Sequence, residues 1–92
     1  MNLQITNEKN CFHLKGNLNF NNYSRLKAII NSFLKSNNKI VLNINEVTEI
    51  DTFTVNSLIN LYTKTSNNNK DISIQGFGAK DFYDELDYRN II

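Results

Sequence analysis

At 92 residues, with 40% hydrophobic and 21% charged residues, the chain has room for one compact core and is read as a single domain over 1–92. A net charge of +1, with ten Lys and Arg scattered instead of striped, gives no long-range field for collecting phosphates, so nucleic acid is not an expected partner. The lone cysteine, Cys11, has no internal disulfide partner, and no apolar run approaches the roughly 20 residues a membrane span needs.

The opening Leu3-Gln4-Ile5-Thr6 alternates apolar and polar residues where a secretory signal would carry a basic stretch and an apolar block, so the chain is read as cytoplasmic. Leu3 and Ile5 share one face, Phe12 and Leu14 share another, and Asn7-Glu8-Lys9-Asn10 lies between them, which predicts a β-hairpin. After Gly16 a polar stretch ends at Asn22, a plausible N-cap, and Tyr23, Leu26, Ile30, Phe33 and Leu34 then recur at helical spacing to about residue 36. Lys39-Ile40-Val41-Leu42-Asn43-Ile44-Asn45 is dense in β-branched residues and reads as the central strand, with Glu46 to Ile50 leading out of it. Asp51 or Thr52 is placed to cap a second helix whose inner face is Val55, Leu58, Ile59 and Tyr62. Ile72 and Ile74 mark a fourth strand, Gly76 and Gly78 a turn, and Phe82, Tyr83 and Leu86 the inner stripe of a last helix.

The order is therefore ββαβαβα, an α/β arrangement. Parallel strands need crossover helices, and helices with a single apolar stripe must lie on the sheet, so a four-stranded mixed sheet with the helices on one face is expected.

Particular residues, in this order, resemble those of STAS domains over nearly the whole chain. Gly16-Asn17-Leu18-Asn19 matches the family's Gly-[Glu/Asn]-[Leu/Ile]-[Asp/Asn] step after the second strand. Ile40-Val41-Leu42-Asn43-Ile44, Val47 and Ile50-Asp51-Thr52 match the apolar strand that leads to an Asp-[Ser/Thr] pair. The resemblance implies a bacterial, non-enzymatic interaction module without a cofactor or metal. Its site is the Asp-[Ser/Thr]-[Ser/Thr/Ala]-Gly-Leu loop at the start of the second helix, where anti-sigma-factor antagonists bind a kinase partner and are released by phosphorylation. Carried over by position, Asp51 and Thr52 match the first two residues, Phe53 stands at the phosphoacceptor, Thr54 at the glycine and Val55 at the apolar position. These five are the expected partner-binding residues, and Thr52 and Thr54 are the remaining hydroxyl acceptors, since Phe53 takes no phosphate. A second branch resembled is the STAS subunit of phospholipid-trafficking ABC transporters, in which an Asp-Thr pair at this helix start touches the ATPase without a kinase cycle; Asp51-Thr52 fits it, and fits a stand-alone STAS protein equally well. The partner is thus an anti-sigma-factor kinase-like protein or a transporter ATPase, and a homodimer is left open.

Other chemistry is weaker. Asp51 at a strand's carboxyl end invites comparison with a receiver-domain phosphoacceptor, but the acidic pair and the lysine that chemistry requires are not placed for it. Phe53 is opposite in phase to Val55, Leu58 and Ile59, which points it toward solvent or a partner, the alternative being a place in the core. Cys11 and His13 share a strand face without a third group to orient the imidazole, and two ligands leave a metal site short. Asp81, Asp84, Glu85 and Asp87 form a solvated acidic face on the last helix, or a docking patch for a basic partner.

Overall fold

A computed structural model describes residues 2–92. The elements run β1 (Gln4–Glu8), β2 (Cys11–Leu18), α1 (Tyr23–Leu34), β3 (Lys39–Ile50), α2 (Thr52–Asn67), β4 (Asp71–Gln75) and α3 (Ala79–Tyr88). The predicted order holds. The sheet order is β1-β2-β3-β4, with β1 antiparallel to β2 and the other two pairs parallel.

Register explains why the helices share one face. Ile5 lies opposite Leu14, Phe12 opposite Leu42, Ile40 opposite Ile72 and Leu42 opposite Ile74, so every apolar row falls on the same side of the sheet. The reverse side carries the rows Thr6–His13–Asn43–Gln75 and Cys11–Val41–Ser73, which are mostly polar. The core sits under the helices and includes Leu14, Leu18, Leu26, Ile30, Ile40, Leu42 and Leu86, all essentially inaccessible to water. No helix among the described residues is long and apolar enough to cross a membrane.

The hairpin is tighter than its sequence suggests. Asn7 and Glu8 pair with Phe12 and Cys11, leaving only Lys9 and Asn10 in the turn, with Lys9 at φ +56°. β3 is longer than expected, because Glu46 to Ile50 continue the ladder with β2. Two bulges absorb one extra residue of β3 each, between the His13–Asn43 and Lys15–Glu46 pairs and between Gly16–Val47 and Asn17–Glu49. Those insertions break the alternation that would have marked the segment as strand.

Two helix details also differ. Asn22 makes no side-chain cap; its Oδ1 accepts from the Asn19 amide and its Nδ2 donates to the Asn17 carbonyl, so it ties down the loop before α1 instead. The buried stripe of α2 is Thr54, Leu58, Leu61 and Thr65 with Ile59, while Val55 and Tyr62 stand half-buried on the shoulder toward α3. Tyr62 there meets Phe82 and Tyr83 edge-on, at 6.2 and 6.5 Å between ring centroids. α2 has neighbours on both flanks, and its small threonines face the sheet while larger side chains fill the groove to α3.

Candidate partner-binding surface

β3 ends at Ile50 and the chain turns into α2 through Asp51, whose extended backbone suits an N-cap. Its carboxylate makes two hydrogen bonds. Oδ1 accepts from the Thr54 amide at 2.9 Å, which is the cap the sequence predicts. Oδ2 accepts from the Phe20 amide, also at 2.9 Å, and so clamps the loop between β2 and α1 to the start of α2. The Thr54 hydroxyl beside it and the Phe20 amide hold the Asp51 carboxyl below the usual carboxylate range. That hydroxyl falls short of hydrogen-bond geometry, and its oxygen has no partner among the described residues, so it acts on Asp51 as a neighbouring dipole.

The clamp has a consequence at the surface. It brings Phe20 edge-on to Phe53, with ring centroids 5.2 Å apart, and Tyr23 stands 6.4 Å beyond Phe53. Phe20 is 65% exposed and Phe53 50%, although each has an aromatic neighbour. The Tyr23 hydroxyl donates to the Ser57 carbonyl at 3.2 Å, which fixes α1 against α2 beneath the pair. From Phe53 a cleft of about 390 Å³ continues between the two helices, flanked by Lys27 and Lys64.

The five residues expected to bind a partner are not presented together. Asp51 and Thr52 form the lip, with Thr52 exposed, and Phe53 faces the α1 side. Val55 is half-buried and faces a separate groove toward α3. Thr54 points into the core with no accessible surface, which corrects the expectation that it meets a partner or accepts a phosphate. Helical phase is the reason: Thr54 lies one turn before Leu58, on the face that packs on the sheet. Phe20, which the sequence reading passed over, completes the aromatic platform. A lone aromatic in the polar run 17–22, beside the Gly16-Asn17-Leu18-Asn19 motif, was its only signal.

Elsewhere, Cys11 and His13 do come together, with Sγ 3.8 Å from the ring Nε2, on the polar reverse face. In α3, Asp84 pairs with Lys80 at 2.7 Å and Glu85 with Arg89 at 2.8 Å, both one helical turn apart, as a solvated face does.

The mixed four-stranded sheet with three helices, in the order β-β-α-β-α-β-α, is that of a SpoIIAA-like fold. The family model described as STAS domain matches residues 1–79, and the chain belongs to that family. Domains of the family are generally non-enzymatic interaction modules. Among solved structures, an uncharacterised protein of the DUF3478 family with a SpoIIAA-like fold, from Shewanella loihica, is 18% identical, with a TM-score of 0.55 over 84% of this chain and 68% of its own. The structure of Mglu gives a TM-score of 0.65 at 14% identity, over 80% of this chain. The chain spans only 19% of that protein, so the likeness is one of fold. No curated protein matches significantly.

Proposed function

We propose that this domain works without catalysis, as a cytoplasmic binding module of the anti-sigma-factor-antagonist type that holds a regulatory partner protein at the entry to α2. The observation that carries the reading is the exposed Phe20–Phe53 pair, locked in place by the Asp51 carboxylate. Large apolar side chains held rigidly in water are disfavoured for folding alone, and aromatic anchors of this kind dominate interface energetics when a partner covers them. Asp51 and Thr52 supply polar contacts at the lip, and Val55 contributes at the far side of the helix start. Lys27 and Lys64, flanking the cleft, favour a partner that sets an acidic group beside its apolar contact.

A second reading is favoured by one observation: the loop offers a kinase little. Phe53 stands at the family's acceptor position, Thr54 is buried, and Thr52 is the exposed hydroxyl that remains. A constitutive contact, as in the STAS subunit of a phospholipid-trafficking ABC transporter, needs no switch. Capture from native lysate with mass spectrometry separates the two readings, since one yields an anti-sigma-factor kinase-like protein and the other a transporter ATPase. Intact-mass measurement of the protein from its native host bears on the switch, and a stoichiometric phosphate on Thr52 would restore the kinase cycle.

A further inference from the structure

Among the described residues, the C-terminal half of β3 has a neighbouring strand on one side only. β4 pairs with β3 from Lys39–Asp71 to Asn43–Gln75 and then leaves the sheet. It is turned away at Gly76: the Phe77 amide donates to Asn45 Oδ1 at 3.0 Å, and Gly76 rests so closely on the Asn45 backbone that no side chain fits between them. Residues 46–50 of β3 pair with β2 and, among the described residues, with nothing on the β4 side. Glu46, Thr48, Glu49 and Ile50 are exposed there. Five residues of strand are about 16 Å of open edge. The outer edge of β4 is treated differently, since the Tyr83 hydroxyl accepts from the Ile74 amide at 2.8 Å.

The open edge forms one wall of a groove of about 510 Å³ running between the α2 entry and α3. Ile44, Val47, Leu58, Ile74 and Phe82 supply apolar lining, and Phe77, 87% exposed, stands at its mouth. The charge on the groove is acidic. Glu49 and Asp81 have no ion-pair partner among the described residues, and Arg89, the only cation lining the groove among them, is held by Glu85 and by Asn56 Oδ1, each at 2.8 Å.

We infer that this edge is a β-augmentation site: an extended segment of a partner polypeptide adds to β3 in the place β4 vacates, sets alternate apolar side chains into the groove and brings a Lys or Arg to Glu49 and Asp81. Main-chain pairing supplies affinity, and the groove with its carboxylates supplies selectivity. Two copies of this chain pairing edge to edge would set acidic residues against one another, so the same charges select a basic segment over self-association. The Phe20–Phe53 pair lies on the other side of α2, and of the residues proposed to meet a partner there only Thr52 and Val55 also line this groove.

The probe is a library of random twelve-residue peptides displayed on phage and selected against the full chain. Enriched peptides are expected to alternate apolar and polar residues and to carry Lys or Arg. A synthetic copy should perturb the backbone amide signals of 46–50 and 77–82 in the ¹⁵N-labelled protein. Methylating alternate peptide nitrogens should weaken binding by about tenfold or more, as the loss of one or two backbone hydrogen bonds requires. Glu49→Lys combined with Asp81→Lys should exchange the preference for Lys in the peptide for one for Glu. No enrichment over the unselected library, perturbation centred on Phe20 and Phe53, or indifference to N-methylation would each overturn the inference. The aromatic surface has its own test in a different variant, Phe53→Ser.

Discussion

Thr54 carries a fully buried hydroxyl whose oxygen has no hydrogen-bond partner among the described residues, and it does so at the first turn of the helix that the proposed site depends on. A buried, unpaired hydroxyl is a cost, whereas a methyl group of the same shape is not. Thr54→Val removes that cost together with the dipole that favours the Asp51 carboxylate, so the two effects offset and stability is expected to change by less than about 1 kcal/mol in urea denaturation. A larger loss would show that the hydroxyl has a partner after all. Asp51 makes the opposite prediction. Its folded-state pKa is depressed, first by the Thr54 hydroxyl and then by the Phe20 amide, so the ionised form is the one the fold favours. The stabilisation is complete above the ordinary carboxylate pKa and disappears as pH falls through the lower folded value. Asp51→Ala should melt below the parent at neutral pH, and the gap should narrow below about pH 4. A gap independent of pH would remove the charge from the account and leave the cap alone.

At the scale of elements, the turn after β4 decides how much of β3 stays open. Gly76 has φ +104°, and a Cβ there would lie 2.7 Å from the Asn45 amide nitrogen and 3.0 Å from its Cα, both backbone atoms that have little room to give. Gly76→Ala should cost about 2 kcal/mol or more, from the left-handed backbone and the collision together, read as a lower denaturation midpoint. A neutral effect would mean that β4 can leave the sheet by another path. Elements with a clean period were legible in the sequence: β2 with Phe12 and Leu14, α1 with Leu26, Ile30 and Leu34, and β4 with Ile72 and Ile74. The tail of β3 was not, because its two bulges disturb the alternation on which a strand reading relies. The inner face of α2 was read one residue out of phase at its start. Threonine sits equally well in water or in a core, so Thr54 gave no sign that it, and not Val55, faces the sheet.

For the molecule as a whole, element order was enough to predict the sheet and the helices on one face, since crossover rules leave few ways to arrange one-sided helices on four strands, while the family came from its resemblance at Gly16-Asn17-Leu18-Asn19 and Ile50-Asp51-Thr52. The proposed binding surface was legible only in part. Asp51, Thr52 and Phe53 were singled out by their match to the family loop at the α2 entry. Phe20 was not, because it is 31 residues from Asp51 and the link between them is a main-chain amide, which leaves no mark on side-chain pattern. The two loops form one surface only in the folded chain, and the central claim is that this surface binds while contributing little to folding. Phe53→Ser tests it most directly. With Phe53 half in water, the change should cost about 1 kcal/mol and lower the melting temperature by roughly 5 °C. Loss of an interface anchor should at the same time weaken partner binding by about thirtyfold or more, so that capture from native lysate fails. A variant that still captures the wild-type partner, or one whose melting temperature falls by well over about 10 °C, would contradict the account.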